Sequence, residues 1–423
     1  MSNIKQYFHK FLNIGSSYFG LDLKYFVSGG FWKTIGTATT NILAAFLMIA
    51  FANFLPKETY GLYRYILSLI GILTMFSLTG MNVSVTQAVA AGNEGALKAS
   101  VKYQLKWNLL MIFASWTLAA YYLLQQNTDI SIALFILGFI TPFTYTFNTY
   151  GAYLEGKKDF KRKSIFLIWS SIIYVAGMLP AIYFGKKMLW LIAAYAITSF
   201  LSNLIFYIKT LKIYNPPKNK SPEAITYGRH LTYLNFINPI LGQADNIILA
   251  HFWGVGQLAV YSLARVMPDK IGPFIKQIIG VGLPKLAQKT VEDIEKVFYK
   301  RLLQTALLGA IVAAGYILLA PVVFKYLMPK YLDSVFYSQL LATTFIFAAS
   351  IGYIGTAMTA QKMMRPIVLG SISSSIIKII LYIVLGIWGG IFGLVLAQVI
   401  YYIIVFFISI ALWKFKNPAQ VTN

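Results

Sequence analysis

Gly242-Gln-Ala-Asp-Asn-Ile-Ile-Leu-Ala-His-Phe-Trp-Gly-Val-Gly-Gln-Leu-Ala-Val-Tyr-Ser-Leu-Ala-Arg-Val-Met-Pro-Asp-Lys270 reads as the end of one membrane helix, a tight glycine-rich turn and the start of the next. Leading into it, Asn235, Asn238, Gly242 and Asp245 recur at i, i+3, i+7 and i+10, which is one face of a helix. Beyond the turn, Arg265, Asp269, Gly272 and Lys276 recur at i, i+4, i+7 and i+11, again one face. Ionisable groups inside a hydrocarbon layer cost about 2.5–3.5 kcal/mol each even on lenient insertion scales, so they turn toward a bundle interior or a wet cavity. Two polar stripes on either side of one turn, in an otherwise apolar chain, predict a pathway through a membrane protein.

The rest of the chain agrees with that environment. Hydrophobic residues make up 58% of the 423 and charged residues 12%, a balance foreign to soluble domains. Apolar runs of about 20 residues, the length that crosses a bilayer core as a helix, recur from end to end. The alternating ten-residue segments of a β-barrel are missing. The expected fold is therefore all-α and polytopic, with about twelve transmembrane helices near 33–54, 61–80, 104–124, 130–152, 164–184, 188–208, 231–252, 257–281, 302–324, 335–358, 366–386 and 390–412. No cysteine is present, so disulfides are excluded. The first 32 residues lack the apolar core and cleavage site of a signal peptide. They read as a basic, weakly amphipathic surface segment with Ile4, Phe8, Phe11 and Leu12, or equally as a frayed tail.

A net charge of +23 would suit nucleic acid, but its placement points elsewhere. With those spans, both termini and the loops on their side collect most of the Lys and Arg, in clusters such as Lys157, Lys158, Lys161, Arg162 and Lys163. Between the spans on the opposite side stand Lys57, Arg64, Lys186, Lys187, Lys325 and Lys330. This bias puts both termini in the cytoplasm and attracts anionic membrane lipids, with no nucleic-acid partner. Gly151-Ala-Tyr-Leu-Glu-Gly-Lys157 formally opens a phosphate-binding loop, but Lys158 stands where Ser or Thr is needed and no strand precedes it. No nucleotide site follows from it.

The two halves of the chain resemble each other. Gly151-Ala-Tyr-Leu-Glu-Gly-Lys-Lys158 with Ser170-Ser-Ile-Ile173 aligns with Gly355-Thr-Ala-Met-Thr-Ala-Gln-Lys362 with Ser374-Ser-Ile-Ile377 at an offset of 204. Phe54-Leu-Pro-Lys-Glu-Thr-Tyr-Gly-Leu-Tyr63 aligns with Phe252-Trp-Gly-Val-Gly-Gln-Leu-Ala-Val-Tyr261 at an offset of 198. The Pro-rich, charged connection from Lys209 to Arg229 suits a linker, so residues 1–218 and 219–423 form two six-helix lobes in parallel orientation. In the second lobe Ser371, Ser375, Lys378 and Tyr382 share a helix face. Lys378 lies about 18 Å from the cytoplasmic end of its helix, too deep to snorkel, and so needs a partner or a cavity. In the first lobe, Thr141-Pro-Phe-Thr-Tyr-Thr-Phe-Asn-Thr-Tyr150 is unusually polar. Tyr145 and Asn148 there could offer a sugar a stacking face and hydrogen bonds, or these side chains bond their own backbone.

Phe54–Tyr63, Ala244-Asp-Asn-Ile-Ile-Leu249 with Ala259-Val-Tyr-Ser-Leu-Ala264, and Glu155-Gly-Lys-Lys-Asp-Phe-Lys161, taken in order and spacing, resemble the polysaccharide-biosynthesis (O-antigen flippase, Wzx-type) family. That family sits in the MOP group with MATE drug exporters and the lipid II flippase. The resemblance implies two lobes around a central cavity, cation coupling, and cargo consisting of an undecaprenyl-pyrophosphate-linked oligosaccharide. It also implies a glycan polymerase and glycosyltransferases as partners. With only a short tail after Trp413, twelve helices are expected rather than the fourteen of a lipid II type.

The expected site follows. Arg265 and Lys378 clamp the head group, with Lys276 nearer the mouth and Asn238, Tyr145 and Asn148 also on the substrate path. Asp245 and Asp269 couple Na⁺ or H⁺, and no resident cofactor is expected. Alternatively, Arg265 and Asp269 pair with each other as a packing device. The rival functions are a MATE-like antiporter, a lipid II-type transporter, and a scaffold in a glycan-assembly complex. An integral glycosyltransferase would need a carboxylate cluster, and the 13 acidic residues are too scattered for one. The chain is thus expected to be a multi-pass plasma (inner) membrane transporter and not an enzyme.

Overall fold

In the computed structural model, which describes residues 23–218, 221–280 and 282–414, every regular element is helical. The described chain divides into two compact units, one taking residues up to Phe54 with Ile70–Pro239, the other Leu55–Leu69 with Ile240 onward.

The first unit begins with α1 (Leu23–Phe54). The stretch around Ile4, Phe8, Phe11 and Leu12 lies outside the described residues. Then come α2 (Lys57–Leu73), which is shared with the second unit, α3 (Met81–Ala90), α4 (Ala96–Leu124), α5 (Thr128–Phe147) and α6 (Thr149–Gly156). The unit closes with α7 (Phe160–Pro180), α8 (Met188–Tyr214) and α9 (Pro222–Leu234). α1 packs on α7, α5 lies between α4 and α8, and α3 meets both α6 and α9. Met81, Val85, Leu97, Tyr153 and Leu154 are fully enclosed, and Phe166 stacks on Phe206 at 4.5 Å between centroids.

Most of the expected linker is helix, leaving a short connection after Tyr214. Ala224, Gly228 and Thr232 recur every four residues as a buried stripe of small side chains, which lets α9 lie close on α3. Ser84 Oγ donates to the Ala224 carbonyl, and the Gly80 N–H donates to Thr232 Oγ1 at 3.1 Å. This docking carries the unit boundary to Pro239, beyond the expected 218/219.

The second unit contains α10 (Asn238–Trp253), which starts at the boundary, then α11 (Val255–Val266), α12 (Pro268–Gly280), α13 (Leu283–Ala287) and α14 (Val291–Leu327). It ends with α15 (Ser334–Ala342), α16 (Thr344–Ala360) and α17 (Met364–Lys414). Most of α2 belongs here for three reasons. Lys57 Nζ pairs with Asp333 at 3.0 Å, Asn246 Nδ2 donates to Ser68 Oγ at 3.0 Å, and Gly61 faces the Val255 carbonyl. A Cβ on Gly61 would lie 1.8 Å from that oxygen.

Nine helices among the described residues are long and apolar enough to cross a membrane. The expected spans at 366–386 and 390–412 run on as α17, which folds back at Gly390 (φ 55°, ψ −134°), a backbone conformation suited to glycine. The fold-back is visible in its contacts: Tyr382 Oη reaches Gln398 at 3.5 Å, although 16 residues separate them. The expected spans 231–252 and 257–281 are each broken. α9 ends at Leu234, and Pro268, which has no N–H to donate, opens a new helix. Asn235 therefore stands outside the helix of Asp245, whereas Asn238 opens that helix seven residues before it, and Arg265 stands on a different helix from Asp269 and Lys276. The expected helix at 61–80 ends at Leu73, followed by a single turn at Thr74–Phe76.

Candidate functional site

In the second unit α10 delivers Asp245 and Asn246 to the interior, Gly254 turns the chain with φ 86°, and α11 returns with Tyr261 and Arg265 one turn apart. Asp245 is 1% exposed. Its carboxylate accepts the Tyr261 hydroxyl at 2.9 Å and an Nη1 hydrogen of Arg265, with which it forms an ion pair. Arg265 reaches onward through Nε to Asp269 at 3.2 Å, and its guanidinium carbon stands 5.2 Å from the centre of the Tyr261 ring. Such a pair is stable in low dielectric because each charge is met by its partner and by hydrogen bonds.

Lys378 approaches the same group from α17. Its ammonium lies 5.2 Å from the centre of the Tyr382 ring. Arg265 and Asp269 are the charges that act on it, yet it makes no ion pair among the described residues. The cluster therefore sets two carboxylates, Asp245 and Asp269, against two cations, Arg265 and Lys378. The expected all-cationic clamp is instead a balanced network with one cation free of a direct carboxylate contact.

Lys276 is elsewhere in this unit. It lines a cavity of about 500 Å³ with Ser371, Ser374 and Tyr401, its ammonium 5.9 Å from the Tyr402 ring centre. Asn238 donates to Asn235 Oδ1 at 2.9 Å and borders a cavity with Thr79, Gly80 and Leu231 in the first unit. The structure does not bring these two residues to the Asp245 cluster.

Tyr145 and Asn148, by contrast, meet. Both line a cavity of about 250 Å³ in the first unit, walled by α5, α7 and α8. Thr144 on the same wall bonds its own backbone, donating to Ile140 O at 3.1 Å. Tyr195, Ser199 and Asn203 complete the cavity from α8, where they recur at i, i+4 and i+8. Sequence reasoning overlooked this stripe, although its spacing was there to read. It also overlooked Tyr261, whose role depends on a partner across the turn. Among the described residues no group of three or more His, Cys, Asp or Glu converges to hold a metal ion. Asp245, the expected ion ligand, has its carboxylate engaged by Arg265 and Tyr261.

Comparison with known proteins adds the following. The sequence model of a family described as "Polysaccharide biosynthesis protein" matches residues 26–281. A Shigella flexneri protein named "Putative O-antigen transporter" is 22% identical over 315 residues, covering 67% of this chain and 70% of that one. The inward closed conformation of the lipid II flippase MurJ superposes with a TM-score of 0.67 at 16% identity, over 92% of this chain and 88% of that one. An inward-facing multidrug resistance MATE family transporter of the MOP superfamily superposes with a TM-score of 0.65 at 15% identity, over 90% and 96%. At these identities the likeness establishes a common fold: a multi-pass helical membrane protein of the MurJ and MATE type.

Proposed function

Since the chain belongs to the polysaccharide biosynthesis protein family, we propose that it is a flippase for a polyprenyl-pyrophosphate-linked oligosaccharide. It would move this cargo from the cytoplasmic to the outer leaflet of the plasma (inner) membrane by alternating access, breaking no covalent bond and so not acting as an enzyme. The observation that carries the proposal is Lys378, a cation on a helix long and apolar enough to span, which makes no ion pair among the described residues and stands next to Arg265, itself paired with Asp245 and Asp269.

A diphosphate brings about two negative charges and suits the forked geometry of a guanidinium. Lys378 receives the head group first. Arg265 then exchanges a carboxylate for a phosphate, and Asp245, left buried without its cation, takes up a proton or a Na⁺ ion. When the head group leaves, Arg265 pairs with Asp245 again and expels that cation, which couples the two movements. Pro268 and Pro273 permit α11 and α12 to bend as access alternates. The Lys and Arg bias supports cytoplasmic termini. A glycan polymerase and glycosyltransferases are the partners such a pathway needs.

Proteoliposomes made with purified protein and a lipid-linked oligosaccharide test this. Lys378→Ala is expected to lower flipping at least tenfold at unchanged protein abundance. Full transport by Lys378→Ala, or none by the wild type, overturns the proposal, the second result leaving the scaffold reading. A MATE-like exporter of organic cations would want carboxylates facing its cargo, and none lines the cavity of the first unit.

A further inference from the structure

The cavity of the first unit is lined by polar groups at membrane depth, since its walls belong to segments Thr128–Gly156, Phe160–Gly185 and Met188–Tyr214, each long and apolar enough to span. Polar groups facing a void in hydrocarbon are costly unless water or a ligand meets them. Several here are unmet. Tyr145 and Asn148 form no side-chain hydrogen bond among the described residues, although Asn148 sits at the break between α5 and α6. Ser170 Oγ is buried in the cavity wall beside the Tyr150 hydroxyl. Asn203 uses its amide nitrogen on the Ser199 carbonyl at 2.8 Å and leaves its side-chain oxygen open.

The cavity also recurs. In the second unit Ser374, Tyr401, Val405 and Ser409 line the cavity that holds Lys276. Ser374 is Ser170 shifted by the repeat offset of 204, and the other three are Tyr195, Ser199 and Asn203 shifted by a common 206. A void retained in both copies of a duplicated fold is a feature of the fold rather than a local packing fault. The copies differ in charge: the second has a lysine, whereas the first has only neutral groups, among them the amides of Asn148 and Asn203.

We propose that the cavity of the first unit is a glycosyl pocket that takes one uncharged sugar ring of the transported lipid-linked glycan. This rests on the flippase reading and names the part of the cargo that the unit recognises. A sugar ring presents a rim of hydroxyls, each both donor and acceptor, and an apolar C–H face. Asn148 and Asn203 match the rim, and the rings of Tyr145 and Tyr195 match the face. A phosphate would find no cation in this cavity, and an organic cation no carboxylate.

The test uses full-length protein in nanodiscs, with free N-acetylhexosamine and neutral hexoses as one probe set and inorganic pyrophosphate as the other, read by saturation-transfer NMR. The wild type is expected to bind sugar. Asn148→Ala and Tyr145→Leu, the latter removing the stacking ring but filling much of its space, each weaken sugar binding about tenfold and leave pyrophosphate binding unchanged. Absence of a sugar signal in the wild type overturns the proposal, as does a signal unaltered in both variants at wild-type melting temperature. Loss of pyrophosphate binding with sugar binding intact would instead strike the head-group reading and leave this pocket standing.

Discussion

Asp245 and Arg265 stand 20 residues apart, and the structure joins them as one buried ion pair. Breaking such a pair leaves the survivor uncompensated, so Arg265→Ala is expected to destabilise the protein by about 3–5 kcal/mol. Asp245→Ala with Arg265→Ala should recover part of that loss, because no orphaned charge is left. Thermal unfolding of the detergent-solubilised single and double variants checks this, and strict additivity would argue against the pair. That Lys378 and Tyr382 share one face of a long apolar helix was legible in the sequence. The pairing was not, because whether Arg265 turns to Asp269 four residues on or back to Asp245 depends on how Gly254 folds the chain. Asn235 falls off the face expected for it with Asn238 and Asp245 for a related reason: periodicity assumes an unbroken helix, and α9 stops before Asn235.

Helices meet closely where side chains are absent. Gly61→Val would force α2 away from Val255, and the variant is expected to melt well below the wild type, with the N-terminal end of α2 opened to proteolysis. Between α3 and α4, Glu94 accepts the Lys157 ammonium at 2.6 Å and the Tyr153 hydroxyl at 2.7 Å. The lysine contact chiefly, with help from the tyrosine, holds the Glu94 carboxyl below the usual carboxylate range. A lowered pKa means the contact stabilises fully above the ordinary carboxylate value and fades as pH falls through the folded-state value. Hydrogen exchange of residues 91–95 should therefore quicken, after correction for intrinsic rates, upon acidification, and Lys157→Ala should produce the same opening at neutral pH. The apolar runs made most of these helices legible, whereas α9 was hidden because its buried stripe is built of Ala, Gly and Thr rather than large apolar residues.

At the scale of the molecule, the division of the chain was not legible. A sequence is cut at its most polar connection; the structure instead assigns residues 55–69 to the second unit through Lys57, Gly61 and Ser68. A fragment beginning at 219 or 240 thus lacks a helix it needs. Expressed alone in membranes it is expected to be degraded, and co-expression with a 1–218 fragment, which supplies that helix, should rescue it. Equal half-lives with and without the companion would refute this. The same feature sets a timetable for synthesis. α2 leaves the ribosome long before the partners of its first thirteen residues exist, so the nascent chain must hold a half-satisfied helix in the bilayer until its last third has been inserted.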